Sequence, residues 1–472
     1  MKLHHKLVTL SLLLAFGSAN AAETIRVAIG TQDTTINCAT GGLLIRELHL
    51  LEKYLPHDGK YKDVKYDIEW KNFTSGAPLT NEMVAGKLDL GSMADFPGSF
   101  NGAAHAKAGK KSIFITVLSG STLGSGNGIV VPKNSPVQSL AELKGKTISV
   151  PFASTAHGML LRAVKAQGWD PEKDVTITTQ APEVAGSALQ GSKVDAHADF
   201  VPFAELFPHR GFARKIYDGS QAQAPTLHGS LVDAAYAKKY PEVVVAYLRA
   251  AIEADRLIAA EPEKYSELIA KVTGIEAEVN YLFHGPLGLQ TRDFTWKPEY
   301  RQAVKTSIET LRLLKRTESD IDVDSFIDDS YLRTAFRQAG LDYAAQLKNH
   351  DRLALKANDA LTQKPISDFK RVAQVWVAGE PLVRHYASPE NAFADARKLE
   401  QAGRKIRVIY AHDSNLGIKL FANQAWFASD GKGQLHAFLL KGAAQAWAQA
   451  NQAKVLDYSA ARGQAATHVA SK

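Results

Sequence analysis

The chain has 472 residues, 45% of them hydrophobic, and a formal net charge of +7 at neutral pH. A chain of this length can bury a large core and is expected to divide into two or three folding units. The excess of Lys and Arg is spread along the sequence, without a basic arm or a basic stripe interleaved with aromatics, which argues against nucleic-acid binding. The single cysteine, Cys38, excludes a scaffold held by internal disulfides.

The N-terminus carries the features of an export signal. Lys2 and Lys6 form a short basic region, residues 7–16 are an apolar run too short to span a bilayer, and Ala19-Asn20-Ala21 supplies small residues for cleavage. No cysteine lies near that cleavage site, so a lipid anchor is not expected. We therefore predict that residues 1–21 are a signal peptide and that the mature chain is soluble in the periplasm.

From residue 22 to about residue 229, strand-like and helix-like runs alternate. TIRVAIG, VKYDIEW and TISVP have strand composition, whereas LLIRELHLLEKYL has apolar residues at helical spacing. This alternation predicts an α/β fold with mainly parallel strands, whose ligands bind beyond the carboxyl ends of those strands. The pattern is helical from about residue 233 to residue 340.

The remaining residues predict a second unit. Residues 341–368 are rich in polar residues and Ala, as in a linker, and residues 369–460 predict a small α+β domain with helices at about 391–402 and 442–451. Residues 461–472 are predicted to be a flexible tail.

Candidate ligand residues follow the predicted strand ends. Their hydroxyl and N–H groups could donate to the oxygens of a small anion, because a helix N-terminus offers unpaired N–H groups and a favourable dipole. The same residues could equally be helix caps and turn residues that touch no ligand. They are Thr31, Gln32 and Asp33 after the first strand, Thr74, Ser75 and Gly76 before a helix, Asp95 and Phe96 after LDLGSM, and Ser154, Thr155 and His157 at the start of the next helix.

Three blocks of this sequence carry a family resemblance. FTSGAPLTNEMVAGKLDLGSMADFP, VPKNSPVQSLAELKGKTISVPFASTAH and LQGSKVDAHADFVPF occur in this order, and residues 24–335 resemble the substrate-binding proteins of ABC importers for taurine, alkanesulfonates and nitrate. The resemblance implies a two-lobed type II periplasmic binding fold over residues 22–340. Lobe 1 would comprise residues 22–120 and 230–340, and lobe 2 residues 121–229, with hinge crossings near 119–127 and 226–230.

The resemblance also implies a function. A monomeric receptor of this kind closes over a small anionic solute and presents it to ABC permease and ATPase subunits, without a cofactor and without chemistry of its own. The sequence has no GxSxG, HExxH or GxxxxGK[ST] motif, which agrees with a protein that is not an enzyme. Enzymes of the thiamine-pyrimidine branch share this fold but are cytosolic, whereas an export signal is predicted here.

Asp199 and Phe200 stand at a further ligand position implied by the resemblance. Phe200 matches an aromatic that packs on the ligand in the relatives, whereas Asp199 adds a carboxylate near a supposed anion pocket. Asp199 could meet a ligand amine or a metal ion, or could face solvent or an arginine. Cys38, in the loop after the first strand, is a candidate ligand residue as well, but a lone small thiol is more often buried packing.

The C-terminal unit contains FKRVAQVWVAGEPLVRHYASPENAFADA, IRVIYAHDSNLGIKLFANQAWFASDG and HAFLLKGAAQAWAQANQAKVLDY. Through these segments, residues 369–458 resemble the fold of NosL, the copper-accessory lipoprotein linked to nitrous oxide reductase assembly. That family binds copper(I) through soft sulfur ligands, but all four methionines and the cysteine of this chain lie before residue 160. A copper-binding receptor is therefore an alternative function, which would draw on Cys38, Asp199 and several histidines. Candidates are His157, His197, His209 and His228 in the binding lobes and His385, His412, Asp413 and His436 in the C-terminal unit, all of which could instead be packing or surface residues.

Overall fold

The computed structural model describes residues 23–313, 321–350 and 355–470; the predicted signal peptide lies outside these ranges. The strands of the N-terminal part are β1 (Thr24–Thr31), β2 (Lys65–Asn72), β3 (Leu90–Ala94), β4 (Ser112–Ser121), β5 (Gly128–Pro132), β6 (Thr147–Val150), β7 (Thr176–Thr179), β8 (Ala196–Asp199), β9 (Ala213–Asp218), β10 (Thr226–Asp233) and β11 (Thr291–Arg292).

Helices cover the faces of these strands. They are α1 (Leu43–Glu47), α2 (Leu50–Tyr54), α3 (Gly76–Val84), α4 (Asp95–Lys107), α5 (Thr155–Ala166), α6 (Pro182–Gln190), α7 (Phe203–His209), α8 (Ala234–Lys239), α9 (Pro241–Ala260), α10 (Pro262–Thr273), α11 (Ala277–His284), α12 (Pro298–Leu313), α13 (Val323–Phe326), α14 (Ser330–Gln338) and α15 (Tyr343–Lys348). Short 3₁₀ turns lie at Ile36–Gly41, Gly59–Tyr61, Leu140–Leu143 and Gly219–Ala222.

The N-terminal part forms two α/β lobes. Lobe 1 is built on a sheet with the order β11-β4-β10-β3-β1-β2, and lobe 2 on a sheet with the order β7-β6-β8-β5-β9. In lobe 1, β1 pairs in parallel with β2 and β3. In lobe 2, β6 pairs in parallel with β7 and β8. Val27, Ala28 and Ile29 of β1 are fully buried, because a parallel strand covered by helices needs apolar residues on both faces.

Two segments cross between the lobes. Residues 122–127 lead from β4 to β5, and residues 219–225 lead from β9 to β10. The predicted second crossing at 226–230 is displaced, because β10 begins at Thr226 and pairs antiparallel with β4 from Thr226 and with β3 from His228. Thr226 therefore starts a strand of lobe 1 rather than a flexible joint.

The C-terminal domain contains two antiparallel sheets. Its strands are β12 (Ala373–Val377), β13 (Arg384–Tyr386), β14 (Ile406–His412), β15 (Lys419–Phe421), β16 (Trp426–Ser429), β17 (Leu435–Phe438) and β18 (Lys454–Leu456), and its helices are α16 (Pro389–Gln401), α17 (Lys441–Ala450) and α18 (Tyr458–Ala470). The sheet orders are β13-β12-β14-β15 and β17-β16-β18.

Two segments differ from the sequence expectations. The segment predicted as a flexible tail from residue 461 continues α18, in which Ala461 and Ala465 are buried and Arg462 bonds Glu400 of α16 at 2.8 Å. The predicted linker contains α15, whose Asp342 cap accepts a hydrogen bond from the Ala345 N–H at 3.0 Å. Within the described ranges, none of the helices is long and apolar enough to cross a bilayer.

The C-terminal domain packs on helix α11. The Tyr281 ring lies 5.4 Å from the ring of Trp376 and 5.5 Å from that of Tyr410. Arg407 pairs with Glu278 at 2.6 Å, so charge and aromatic packing act at the same contact. This buried seam attaches the C-terminal domain firmly to the binding lobes.

Candidate functional site

The N-termini of three helices meet at the junction between the lobes. An added Cβ at Gly76, the first residue of α3, would lie 2.5 Å from Cβ of Pro97 in α4. An added Cβ at Gly158 of α5 would lie 2.8 Å from Cδ2 of Phe96 in α4. Ser75 and Gly76 are thus next to the start of α4, and Phe96 meets the first turns of α5. Thr74 is exposed.

Aromatic rings fill part of this junction. Phe96 of lobe 1 lies edge-on to His157 of lobe 2 with ring centroids 6.4 Å apart, and Phe100 lies 6.4 Å from Phe152. Leu311 of α12 belongs to the same apolar cluster. The two lobes are therefore in contact at the place where the sequence predicts the ligand.

Asp95 connects three elements of lobe 1. Its carboxylate accepts hydrogen bonds from the Thr226 hydroxyl at 2.8 Å, the Leu227 N–H at 3.1 Å and the Ser307 hydroxyl at 2.6 Å. Burial raises the pKa of Asp95, and these hydrogen bonds oppose that rise. The side chain thus joins α4, β10 and α12, and its oxygens are occupied by protein donors.

Ser154 caps helix α5. Its Oγ accepts the N–H of His157 at 3.1 Å, and Nδ1 of His157 accepts the N–H of Ala153 at 3.2 Å. Ser154 and Thr155 are both buried. A serine that accepts from the helix backbone still has its own hydroxyl proton to donate, so capping and anion binding are compatible.

The loop after β1 is buried and bonded to β3 and α1. Gln32 donates to the carbonyl of Ser92 at 2.9 Å, and Asp33 pairs with Arg46 at 2.9 Å. Cys38 is buried, and burial together with the nearby Asp33 carboxylate raises the pKa of its thiol. Cys38 is therefore a neutral thiol in the interior.

Asp199 has a partner that the sequence reasoning did not consider. Its Oδ2 lies 2.7 Å from Nε2 of His197, whose Nδ1 lies 2.8 Å from Oγ of Ser149. All three residues are fully buried, and Asp199 also accepts the N–H of Phe200 at 2.8 Å. Asp199 therefore faces neither solvent nor an arginine, and this network supports the end of β8 inside lobe 2. Phe200 is buried against Phe203.

Arg162 of α5 is a functional candidate that the sequence analysis missed. Its Nε atom is buried and has no hydrogen-bond partner among the residues that the structure describes. Burial lowers the pKa of Arg162, and the Asp95 carboxylate across the junction raises it by a smaller amount. The lobe junction thus contains a cation whose hydrogen-bonding capacity is incompletely used.

Other buried polar atoms near the lobe junction lack partners. His228 on β10 is fully buried with Nδ1 unpartnered, and burial lowers its pKa to about 3. Buried polar atoms are normally paired, so such atoms mark where water or a ligand would bind. Others among the described residues are Oγ1 of Thr31 at the end of β1, Oδ1 of Asp33, Oγ1 of Thr35 and Oδ1 of Asn37 in the loop that follows, and Oγ of Ser125 and Oδ1 of Asn127 in the first crossing.

The candidate metal ligands of the C-terminal domain have separate partners. His412 lies 2.8 Å from the Val372 carbonyl, His385 lies 3.1 Å from Gln374, and His436 stacks on Trp447 at 4.2 Å. The Asp413 carboxylate accepts backbone N–H groups, including that of Leu439 at 2.7 Å. Among the described residues, no group of three or more His, Cys, Asp or Glu side chains has the arrangement of a metal site.

Comparisons with known proteins agree with this architecture. The model of the NMT1-like family matches residues 54–273. A putative aliphatic sulfonates-binding protein of Escherichia coli (strain K12) is 31% identical over 287 residues, which are 60% of this chain and 83% of the relative. The taurine-binding periplasmic protein of the same strain is 30% identical over 264 residues, 52% of this chain and 77% of the relative.

A solved structure supports the fold. The crystal structure of the periplasmic aliphatic sulphonate binding protein from Escherichia coli aligns over 67% of this chain and 100% of its own, with a TM-score of 0.52 and 27% identity. The expected two-lobed type II fold is thereby confirmed. The NosL resemblance lies beyond the residues matched by the family model and stays a prediction. From its identity to these relatives over most of their length, the chain belongs to the NMT1-like family of ABC-transporter binding proteins, which are not enzymes.

Proposed function

We propose that this protein is a periplasmic receptor that captures a small organic sulfonate of the taurine type and delivers it to an ABC permease. The relatives named for aliphatic sulfonates and taurine support the ligand class. The predicted signal peptide and the periplasmic relatives support the location. The solute is held between the lobes, near the N-termini of α4 and α5.

The observation that supports this proposal most strongly is the incomplete hydrogen bonding of Arg162. The Arg162 side chain is half-buried, and among the described residues its buried Nε has no hydrogen-bond partner, which is costly unless an anion or water satisfies it. A sulfonate presents three acceptor oxygens, and the buried hydroxyls of Ser154, Thr155 and Thr31 are neutral donors that can share the charge with the arginine.

Lobe closure explains how affinity arises. When the crossings at 122–127 and 219–225 bend, the solute exchanges water for fixed protein donors in a site of low dielectric, where hydrogen bonds to ions are stronger. The solute remains chemically unchanged, which agrees with a family that is not enzymatic.

Calorimetric titration of the purified chain with taurine, ethanesulfonate and nitrate tests the proposal. We expect a sulfonate to bind, and Arg162→Gln to weaken its binding roughly 10- to 150-fold, because hydrogen bonds to charged groups contribute about 1.5–3 kcal/mol. Arg337→Gln is a control, since the Arg337 side chain is exposed and donates to the Thr334 hydroxyl on the surface of α14. Failure of every sulfonate to bind would reject the function, whereas unchanged affinity in both Arg162→Gln and Ser154→Ala would reject the site.

A further inference from the structure

A cavity of about 790 Å³ lies between lobe 2 and the C-terminal domain. One wall is formed by α7 and β9 of lobe 2, and the facing wall by β15, β16 and the starts of α17 and α18. Leu282 of α11 and Leu289 also line it. Its size is typical of sites for small organic ligands, which measure about 300–1,000 Å³. This cavity is separate from the lobe junction at α4 and α5.

The lobe 2 wall contains an incompletely bonded carboxyl group. Glu205 of α7 is 5% exposed, and one of its oxygens accepts from Lys215, while Oε2 has no partner within the described part of the chain. Burial and the Asp218 carboxylate raise the pKa of Glu205 to about 7, against the opposing effect of Lys215. Near neutral pH this carboxyl group can therefore exchange hydrogen bonds with a hydroxyl or amine.

The wall formed by the C-terminal domain contains an unpaired hydrogen-bond donor. Nε2 of Gln424, in the 3₁₀ turn Ala422–Gln424, is buried and has no acceptor in the described ranges. Arg214 of lobe 2 also lines the cavity; its Nη2 donates to the carbonyls of Ser135 and Val137 but not to a carboxylate. Donors of this kind can bind the oxygens of an acid group on a ligand.

The acidic residues of the lining do not offset this donor character. Asp413 accepts the N–H groups of Asn415, Leu416 and Leu439 at 2.7–2.9 Å, so its oxygens are occupied. Asp457 is exposed and accepts the N–H of Ala460. Among the described residues, neither of these carboxylates bonds to Gln424 or Arg214.

Apolar surface separates the polar groups. The Phe421 ring stacks on His209 across the two walls at 4.6 Å, and Trp426 and Tyr458 extend the aromatic lining. A ligand that satisfies all of these groups needs an acid group, an apolar or aromatic body and a second polar group that can donate a hydrogen bond.

We propose that this cavity is a second ligand site, which binds a small hydroxylated or amino-substituted organic acid with an apolar body. The acid group contacts Gln424 and Arg214, and the second polar group contacts Glu205. Because these residues belong to both walls, the occupant bridges lobe 2 and the C-terminal domain.

Matched probes test each contact in calorimetric titrations of the full chain. We expect 4-hydroxyphenylacetate to bind with one-to-one stoichiometry. Phenylacetate lacks the hydroxyl and 2-(4-hydroxyphenyl)ethanol lacks the acid, so each should bind roughly 5- to 100-fold more weakly, because each leaves a buried group unpaired. Absence of binding by all three probes, or equal binding by all three, would overturn the proposal.

Two variants test whether the probe binds in this cavity. Gln424→Met removes a donor that has no partner, so it should weaken 4-hydroxyphenylacetate binding roughly tenfold without lowering the melting temperature. Glu205→Gln removes the carboxyl group but keeps the side-chain volume. Lys215 keeps its ion pair with Asp218 at 2.7 Å. Unchanged probe affinity in both variants would refute the site.

A cleft variant separates this proposal from the function proposed above. Ser154→Ala lies in the lobe junction and should leave the affinity for 4-hydroxyphenylacetate unchanged. Gln424→Met should likewise retain sulfonate binding. Loss of probe binding in Ser154→Ala would place the probe in the lobe cleft and overturn the second site, whatever the outcome for taurine.

Discussion

At the residue scale, burial decides the chemistry of the titratable groups at the lobe junction. His228 sits on β10 with no charged partner, so removal from water is the dominant effect and keeps its imidazole neutral. Cys38 is a neutral thiol for a similar reason. Arg162 differs, because a guanidinium stays charged when buried and therefore needs acceptors.

The buried histidine predicts a pH dependence of stability. The pKa of His228 falls from its ordinary value of 6.5 to about 3 on folding, so between these values the unfolded chain binds more protons than the folded chain. The stability that the neutral His228 contributes is thus fully present above pH 6.5 and is lost as the pH falls towards 3. Relative to a His228→Asn variant, the wild type should lose about 2 kcal/mol between pH 7 and pH 5.

Urea denaturation of both proteins at the two pH values checks this expectation. The difference between the variants isolates His228, because Glu205, whose pKa is raised, contributes equally to both proteins and with the opposite sign. A difference in unfolding free energy that stays constant with pH would contradict a neutral, buried His228.

At the element scale, α4 and α5 approach each other through a glycine. Phe96 of α4 occupies the space that a side chain at position 158 would need, so the close contact of the two lobes depends on the absence of a Cβ there. Gly186 in α6 of the same lobe is different, since an added Cβ would meet Phe207 and Phe212 at an ordinary 3.5 Å.

This contrast predicts that two glycine substitutions differ in their effect on solute binding. Gly158→Ala should hold the lobes apart and weaken solute binding by about 1–3 kcal/mol, the usual cost of overpacking. Gly186→Ala should retain affinity and slightly stabilise its helix. Calorimetric titration with the sulfonate that binds the wild type, together with melting curves, checks both. Full affinity in Gly158→Ala would show that closure does not use this contact.

At the scale of the whole molecule, the C-terminal domain is part of the same packed body as the binding lobes. Tyr281 of α11 inserts between Trp376 and Tyr410, and the Tyr410 hydroxyl donates to the Glu278 carbonyl at 2.8 Å. The His412 ring also lies 3.3 Å from the Leu287 carbonyl of the N-terminal part. Such a buried seam should make the two units unfold together.

Removing the central ring of this seam should uncouple the units. Tyr281→Ala should cost about 3–5 kcal/mol, as for other buried aromatics, and split the calorimetric unfolding transition in two. Tyr281→Phe is the matched control, because the Tyr281 hydroxyl has no partner and its removal leaves the ring contacts in place. A single transition in Tyr281→Ala would show that the seam is not what joins the domains.

Local patterns in the sequence predicted many elements well. The helices expected at 391–402 and 442–451 are α16 (Pro389–Gln401) and α17 (Lys441–Ala450), and Ser154 is found at the start of α5 as a cap. Helical periodicity and capping depend on residues a few positions apart, so they can be read without knowing the fold. The family blocks added the two-lobed architecture.

Residue spacing along the chain predicted the strands, the helices and the caps, and the family resemblance predicted the two lobes. The partners of the buried polar groups at the lobe junction were decided by tertiary structure alone. Arg162 looks like an ordinary helix-surface arginine in sequence, and only packing of α5 against lobe 1 brings it near Asp95. Asp199 forms a hydrogen bond with His197, two residues away on the same strand, because burial leaves no water to bind its carboxylate. The reason is physical: hydrogen bonding and charge depend on burial, and burial depends on segments far apart in sequence.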